Sequence, residues 1–103
     1  MGEIQDYINE HLTINHSFVK SIQVTDKSDD DVIIPRGYNM RFINCKIKKL
    51  TARESAIHFI GGNADDLRLA FCLVSMDGVT VEKDIKATNC RICLLYTSPS
   101  PRD

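Results

Sequence analysis

The sequence predicts an all-β solenoid: a coil of short parallel strands, about three turns deep, with a short helix closing its N-terminal end. Three observations predict it. An eight-residue pattern recurs three times; apolar pairs two residues apart stand between the copies; and helical periodicity is confined to the first twelve residues. The 103 residues suffice for one small domain. With 13 Lys+Arg against 14 Asp+Glu, the chain lacks the basic excess of a dedicated nucleic-acid binder. Its 43% apolar content excludes a disordered chain, and no apolar run is long enough to cross a bilayer.

Residues 1–19 read as helix and cap. Ile4, Tyr7, Ile8 and Leu12 recur at helical spacing, which predicts an amphipathic helix over 3–12 with those four side chains on the first turn of the coil. The acidic start, Met1 to Asp6, has neither the basic nor the apolar region of an export signal. Asp6 also stands where a myristoylation motif wants Ser or Thr. Asn15-His16-Ser17 is a sequon by form alone, and His11 and His16 carry no signal. Cys45, Cys72 and Cys90 are an odd set, read as reduced thiols of a chain made in the cytoplasm.

Residues 20–92 carry the repeats. Met40 to Ile47 aligns with Leu67 to Val74 and with Ile85 to Ile92. Each copy has an aliphatic residue, a basic residue, an apolar residue, a two-residue break, Cys, any residue, then Ile or Val. The Cys-to-Cys steps are 27 and 18 residues. Because side chains alternate along a strand, four inward positions per copy require a bend in the middle. Asn44 and Asn89 stand at that bend, where Asn tolerates a left-handed backbone, and Phe71 takes the same place in the middle copy.

A third strand per turn is expected from Val32 and Ile34, Ile57 and Phe59, and Val79 and Val81, with a half-copy at Ile22 and Val24. The expected inward columns are Val32/Ile57/Val79, Ile34/Phe59/Val81, Met40/Leu67/Ile85, Phe42/Leu69/Ala87, Ile22/Cys45/Cys72/Cys90 and Val24/Ile47/Val74/Ile92. One turn cannot bury its own inner face, so neighbours supply the core. A pentapeptide coil is a rival, since Met40, Cys45 and Leu50 are five apart, but that period lapses through 51–66.

These strings resemble the right-handed parallel β-helix, the pectin-lyase-like fold, over about residues 20–92. The resemblance implies a parallel β-helix solenoid of three sheets, often with an N-terminal helix over the open end. It also implies a carbohydrate-facing protein, of the tailspike or adhesin kind or a polysaccharide-degrading enzyme. A structural or protein-interaction solenoid without a sugar site is the alternative.

On this register Arg41, Arg68 and Lys86 form one outward ladder about 4.8 Å apart. Such a ladder needs neutralisation by Asp65, Asp66 and Asp84, or by an acidic polysaccharide whose carboxylates Arg can grip with two bonds. His58 points outward as a further candidate ligand contact, without the carboxylate pair or base that a catalytic assignment needs. Cys45, Cys72 and Cys90 form a core column of small apolar groups, not a metal site. Ser28–Asp31 and Asn63–Asp66 read as solvated acidic loops without calcium-loop spacing, so no metal, cofactor or catalytic residue is assigned.

Residues 93–103, Cys-Leu-Leu-Tyr-Thr-Ser-Pro-Ser-Pro-Arg-Asp, resemble an in-frame translation of a transposase sequencing adapter. That resemblance implies an artefactual or disordered tail, a solenoid truncated near Ile92, and no genuine C-x-x-C from Cys90 and Cys93. A truncated coil would be inactive as an enzyme. It would also expose strand edges, so self-association into a homo-oligomer is expected.

Overall fold

The computed structural model describes residues 2–14 and 20–95. The elements are α1 (Glu3–Ile14), β1 (Ser21–Thr25), β2 (Ser28–Ile33), β3 (Asn39–Arg53), β4 (Ala56–Ala70), β5 (Leu73–Asp77), β6 (Asp84–Thr88) and β7 (Arg91–Leu95). All strand pairs are parallel, in a single seven-stranded system. The chain is a β-solenoid with one short N-terminal helix. No helix among the described residues is long and apolar enough to cross a membrane.

Two ladders run along the coil. The first joins β1, the start of β3, the start of β4, β5 and β7; Ser21, Asn39, Ala56, Leu73 and Arg91 share one of its columns. Successive rungs are therefore 18, 17, 17 and 18 residues, which makes about four turns where about three were expected. The second ladder joins β2, the rest of β3, the rest of β4, and β6.

β3 and β4 pass from one ladder to the other without ending, because left-handed residues turn the corner. Asp26, Asn44, Gly61 and Gly78 have positive φ at one corner of successive rungs; Gly37, Glu54, Phe71 and Asn89 do at the other. Asn44, Phe71 and Asn89 thus bend the chain as expected, but at two different corners.

After Asn44, Glu54, Gly61, Phe71 and Asn89 the next residue is small: Cys45, Ser55, Gly62, Cys72 and Cys90. Cys45 donates its thiol to Ile43 O (3.5 Å), Cys72 to Ala70 O (3.3 Å) and Cys90 to Thr88 O (3.3 Å). Ser55 does the same to Arg53 O (3.0 Å) and also reaches Pro35 O (3.1 Å). The Cys of the repeat is therefore a corner residue whose S–H bonds the carbonyl two positions back.

The core is a set of apolar columns: Ile22/Met40/Ile57/Val74/Ile92 and Val24/Phe42/Phe59/Met76 on the first ladder, Val32/Leu50/Leu67/Ile85 and Leu69/Ala87 on the second. Phe42 and Phe59 stack with ring centroids 5.4 Å apart. Every column that the 18-residue step predicted is present: Leu67/Ile85, Leu69/Ala87, Val74/Ile92 and Cys72/Cys90.

The columns built on the 27-residue step are overturned. Met40 lies over Ile57, not Leu67; Phe42 over Phe59, not Leu69; Ile47 over Ala64, not Val74. Cys45 pairs with Gly62, so Cys45, Cys72 and Cys90 are not one column. Val32 lies over Leu50 rather than Ile57, and Ile22 and Val24 over Met40 and Phe42. A step of 27 is about one and a half rungs, so it links look-alike residues on opposite corners. Lys46 to Arg53 pairs with Asn63 to Ala70 within one pair of strands, so each rung carries two ladders where three strands were expected.

α1 caps the first rung, two residues longer than expected. Ile4 and Ile8 are completely buried and Tyr7 packs beside the core, whereas Leu12 is exposed. Polar bonds fix the helix on the free edge of β2. Asp29, buried at the first rung, accepts from Gln5 N (2.9 Å), Asp30 N (2.7 Å) and Asp31 N (3.4 Å). The Gln5 carboxamide accepts from Ile33 N (2.7 Å) and donates to Ile33 O (3.3 Å), and Glu3 accepts from Ser28 N (3.1 Å). These side chains take the place of a neighbouring strand, which is how an exposed edge is kept from pairing elsewhere. The strand β7 runs on through Cys93 to Leu95, into the adapter-like string; residues 96–103, with the rest of the expected tail, and the 15–17 sequon lie outside the described residues.

Candidate ligand groove

The outward side chains of the first ladder form two adjacent columns. Gln23, Arg41, His58, Ser75 and Cys93 make one; Ser21, Asn39, Ala56, Leu73 and Arg91 make the other. Together they line an open groove of about 780 Å³ that crosses every rung. Strand alternation produces it: Ile57 and Phe59 are buried on either side of His58, so the ring stands outward, half-buried, beside Arg41 of the preceding rung. Ala56 and Ser75 are short, which leaves room beside the longer Arg41 and Leu73.

The groove's charge differs from that of the rest of the surface. None of its described lining residues is acidic, and Arg41 and Arg91 are both in it. Elsewhere cations meet carboxylates: Arg36 with Glu54 (3.1 Å), Arg68 with Asp66 (3.4 Å) and Lys48 with Asp30 (3.8 Å). Among the described residues no carboxylate pairs with Arg41.

The expected ladder of Arg41, Arg68 and Lys86 is therefore corrected. Arg68 and Lys86 are neighbours on the second ladder, with Asp66 taking Arg68 as foreseen. Arg41 is on the first ladder and neighbours His58. Seventeen residues apart in sequence, the two are brought side by side by the register. The acidic stretches are strands rather than loops: Ser28–Asp31 opens β2 and Asn63–Asp66 lies within β4. Among the described residues no three His, Cys, Asp or Glu side chains cluster to hold a metal.

Sequence reasoning missed Gln23, Asn39, Ser75 and Arg91. Gln23 and Ser75 lie between two apolar residues and Asn39 and Arg91 immediately before one, which marks them as outward, but only the rung length says which outward residues are neighbours. No family model matches the chain, and neither the curated proteins nor the solved structures give a match.

Proposed function

We propose that this β-solenoid binds an extended acidic carbohydrate in the groove over Gln23, Arg41, His58 and Ser75. The observation that carries the reading is a polar column at rung spacing, about 4.8 Å, that contains an unneutralised Arg41 and no described carboxylate. A polymer laid along the coil axis meets an amide, a guanidinium, an imidazole and a hydroxyl in succession. Arg41 can grip a uronate or sulfate with two parallel hydrogen bonds. Exposed Leu73 supplies an apolar surface for a sugar ring beside them. The reading is of binding, as the resemblance to tailspike-like or polysaccharide-processing solenoids implies, without a catalytic step. It makes no use of Cys93, which belongs to the adapter-like string. An interaction solenoid with no sugar site is the competing reading, favoured by exposed Ile33, Phe71 and Leu73.

Titration of the full chain with acidic and neutral oligosaccharides decides between them. Retention of acidic chains is expected to fall about tenfold in Arg41→Ala, in line with the loss of one charge-assisted contact. Arg68→Ala, on the other ladder, is expected to leave it unchanged. Equal loss in both variants, or no saccharide binding at all, overturns the groove assignment.

A further inference from the structure

Cys72 and Cys90 occupy the same corner on successive rungs. Leu73 pairs with Arg91, and Arg91 N donates to Cys72 O at 3.0 Å, so the two cysteines are in register. Cys72 N lies 3.4 Å from the Cys90 sulfur, across a sequence separation of 18. Adjacent strands are about 4.8 Å apart, inside the range of about 4.4–6.8 Å between α-carbons that a disulfide spans. Both thiols are free, Cys72 buried and Cys90 half-exposed at the outermost rung.

We propose that Cys72 and Cys90 form a thiol–disulfide pair, oxidised by a low-molecular-weight disulfide, that staples the last rung to the one before it. The Cys90 thiolate attacks the small disulfide, forming a mixed disulfide and releasing one small thiolate. The Cys72 sulfur then attacks the Cys90 sulfur and displaces the second small thiol, which takes the Cys72 proton. Two protein thiols are oxidised to one disulfide, and one small disulfide is reduced to two thiols. Cys45 stands apart from this chemistry at another corner, opposite Gly62. Burial also raises its thiol above the ordinary value of 9.0, which keeps it protonated.

The test treats the reduced full chain, as wild type and as Cys93→Ser, with oxidised glutathione. Free thiols are then alkylated in denaturant, so that buried Cys72 is reached, and non-reduced tryptic peptides are mapped. A link between the peptides spanning 69–83 and 87–91, within one molecule, is expected. Hydrogen exchange at the β6 and β7 amides is expected to slow by about a hundredfold, as closing an 18-residue loop in the unfolded state implies. Cys90→Ser is expected to show neither change. A Cys72 that remains open to alkylation after oxidation, or a link from 87–91 to the peptide beginning at Ile92, overturns the proposal.

Discussion

Two corner residues set local limits that single substitutions can measure. Gly62 has φ +78, and a Cβ there would run into the backbone carbonyl oxygen of Cys45 on the preceding rung. Gly37 also has positive φ (+79) but open space around it. Gly62→Ala is therefore expected to destabilise by about 2 kcal/mol or more, from backbone strain and overpacking together, and Gly37→Ala by about 1 kcal/mol from strain alone. Equal losses in denaturant melts would remove the close-approach argument. Cys45 supplies a pH dependence. Desolvation is the main cause of its raised pKa; Asp26 adds to it, and the Lys27, Ile43 and Asp26 backbone bonds oppose it. A folded-state pKa above the unfolded one means that the folded chain holds the proton more tightly. The associated stability is intact below about pH 9 and is lost as pH rises through the folded-state value. Cys45→Ala is expected to flatten the fall in stability above pH 9 relative to wild type; parallel curves would show that the thiol makes no such contribution.

At the scale of the element, α1 is a plug held by a carboxylate. Asp29 occupies an inward position that apolar Ile47 and Ala64 hold on the next two rungs, and it is satisfied by three backbone N–H groups, one of them at the start of α1. Asp29→Ala is expected to cost about 1–2 kcal/mol and to fray α1, read as lost helical circular dichroism and a lower midpoint. Unchanged helicity would show that Ile4 and Ile8 suffice to dock it. The helix was legible because Ile4, Tyr7 and Ile8 keep the 3.6-residue period. Its anchor was not, since Asp29 sits in a run of seven polar residues, Thr25 to Asp31, that reads as a loop. The corner motif was half legible. Copies at 40, 67 and 85 share Cys, whereas the intervening copies at 50, 57 and 74 have Ser55, Gly62 and Val79 at that place. Without them the repeat looked like steps of 27 and 18 rather than rungs of 17 or 18 with two corners each. The groove followed the same fate: Arg41 and His58 were both marked as outward, but their adjacency depends on a rung length that the visible copies concealed.

For the whole molecule, a solenoid has no single centre, and each rung is stabilised by the rungs above and below it. Burial follows that rule. Val32, Leu50 and Leu67 are completely buried, while Ile85, at the end of the same column, is only partly so; Val74 is buried and Ile92, below it, is partly exposed. The first rung escapes this loss because Ile4 and Ile8 lie over it and Gln5, Glu3 and Asp29 satisfy its edge. Opening free energy should therefore be graded along the coil and asymmetric. Native-state hydrogen exchange of the reduced chain is expected to be slowest in β3 and β4, each paired on both sides. It should be intermediate in β1 and β2 under the helix, and fastest in β6 and β7. Phe42→Ala, which breaks the Phe42–Phe59 stack between β3 and β4, is expected to cost about 3–5 kcal/mol and to accelerate exchange most in those two strands. Ile92→Ala, at the end, should accelerate β7 and leave β3 unchanged. Uniform protection from β1 to β7, with both substitutions acting everywhere, would mean that the chain opens as one cooperative unit and that rung-by-rung stabilisation does not describe it.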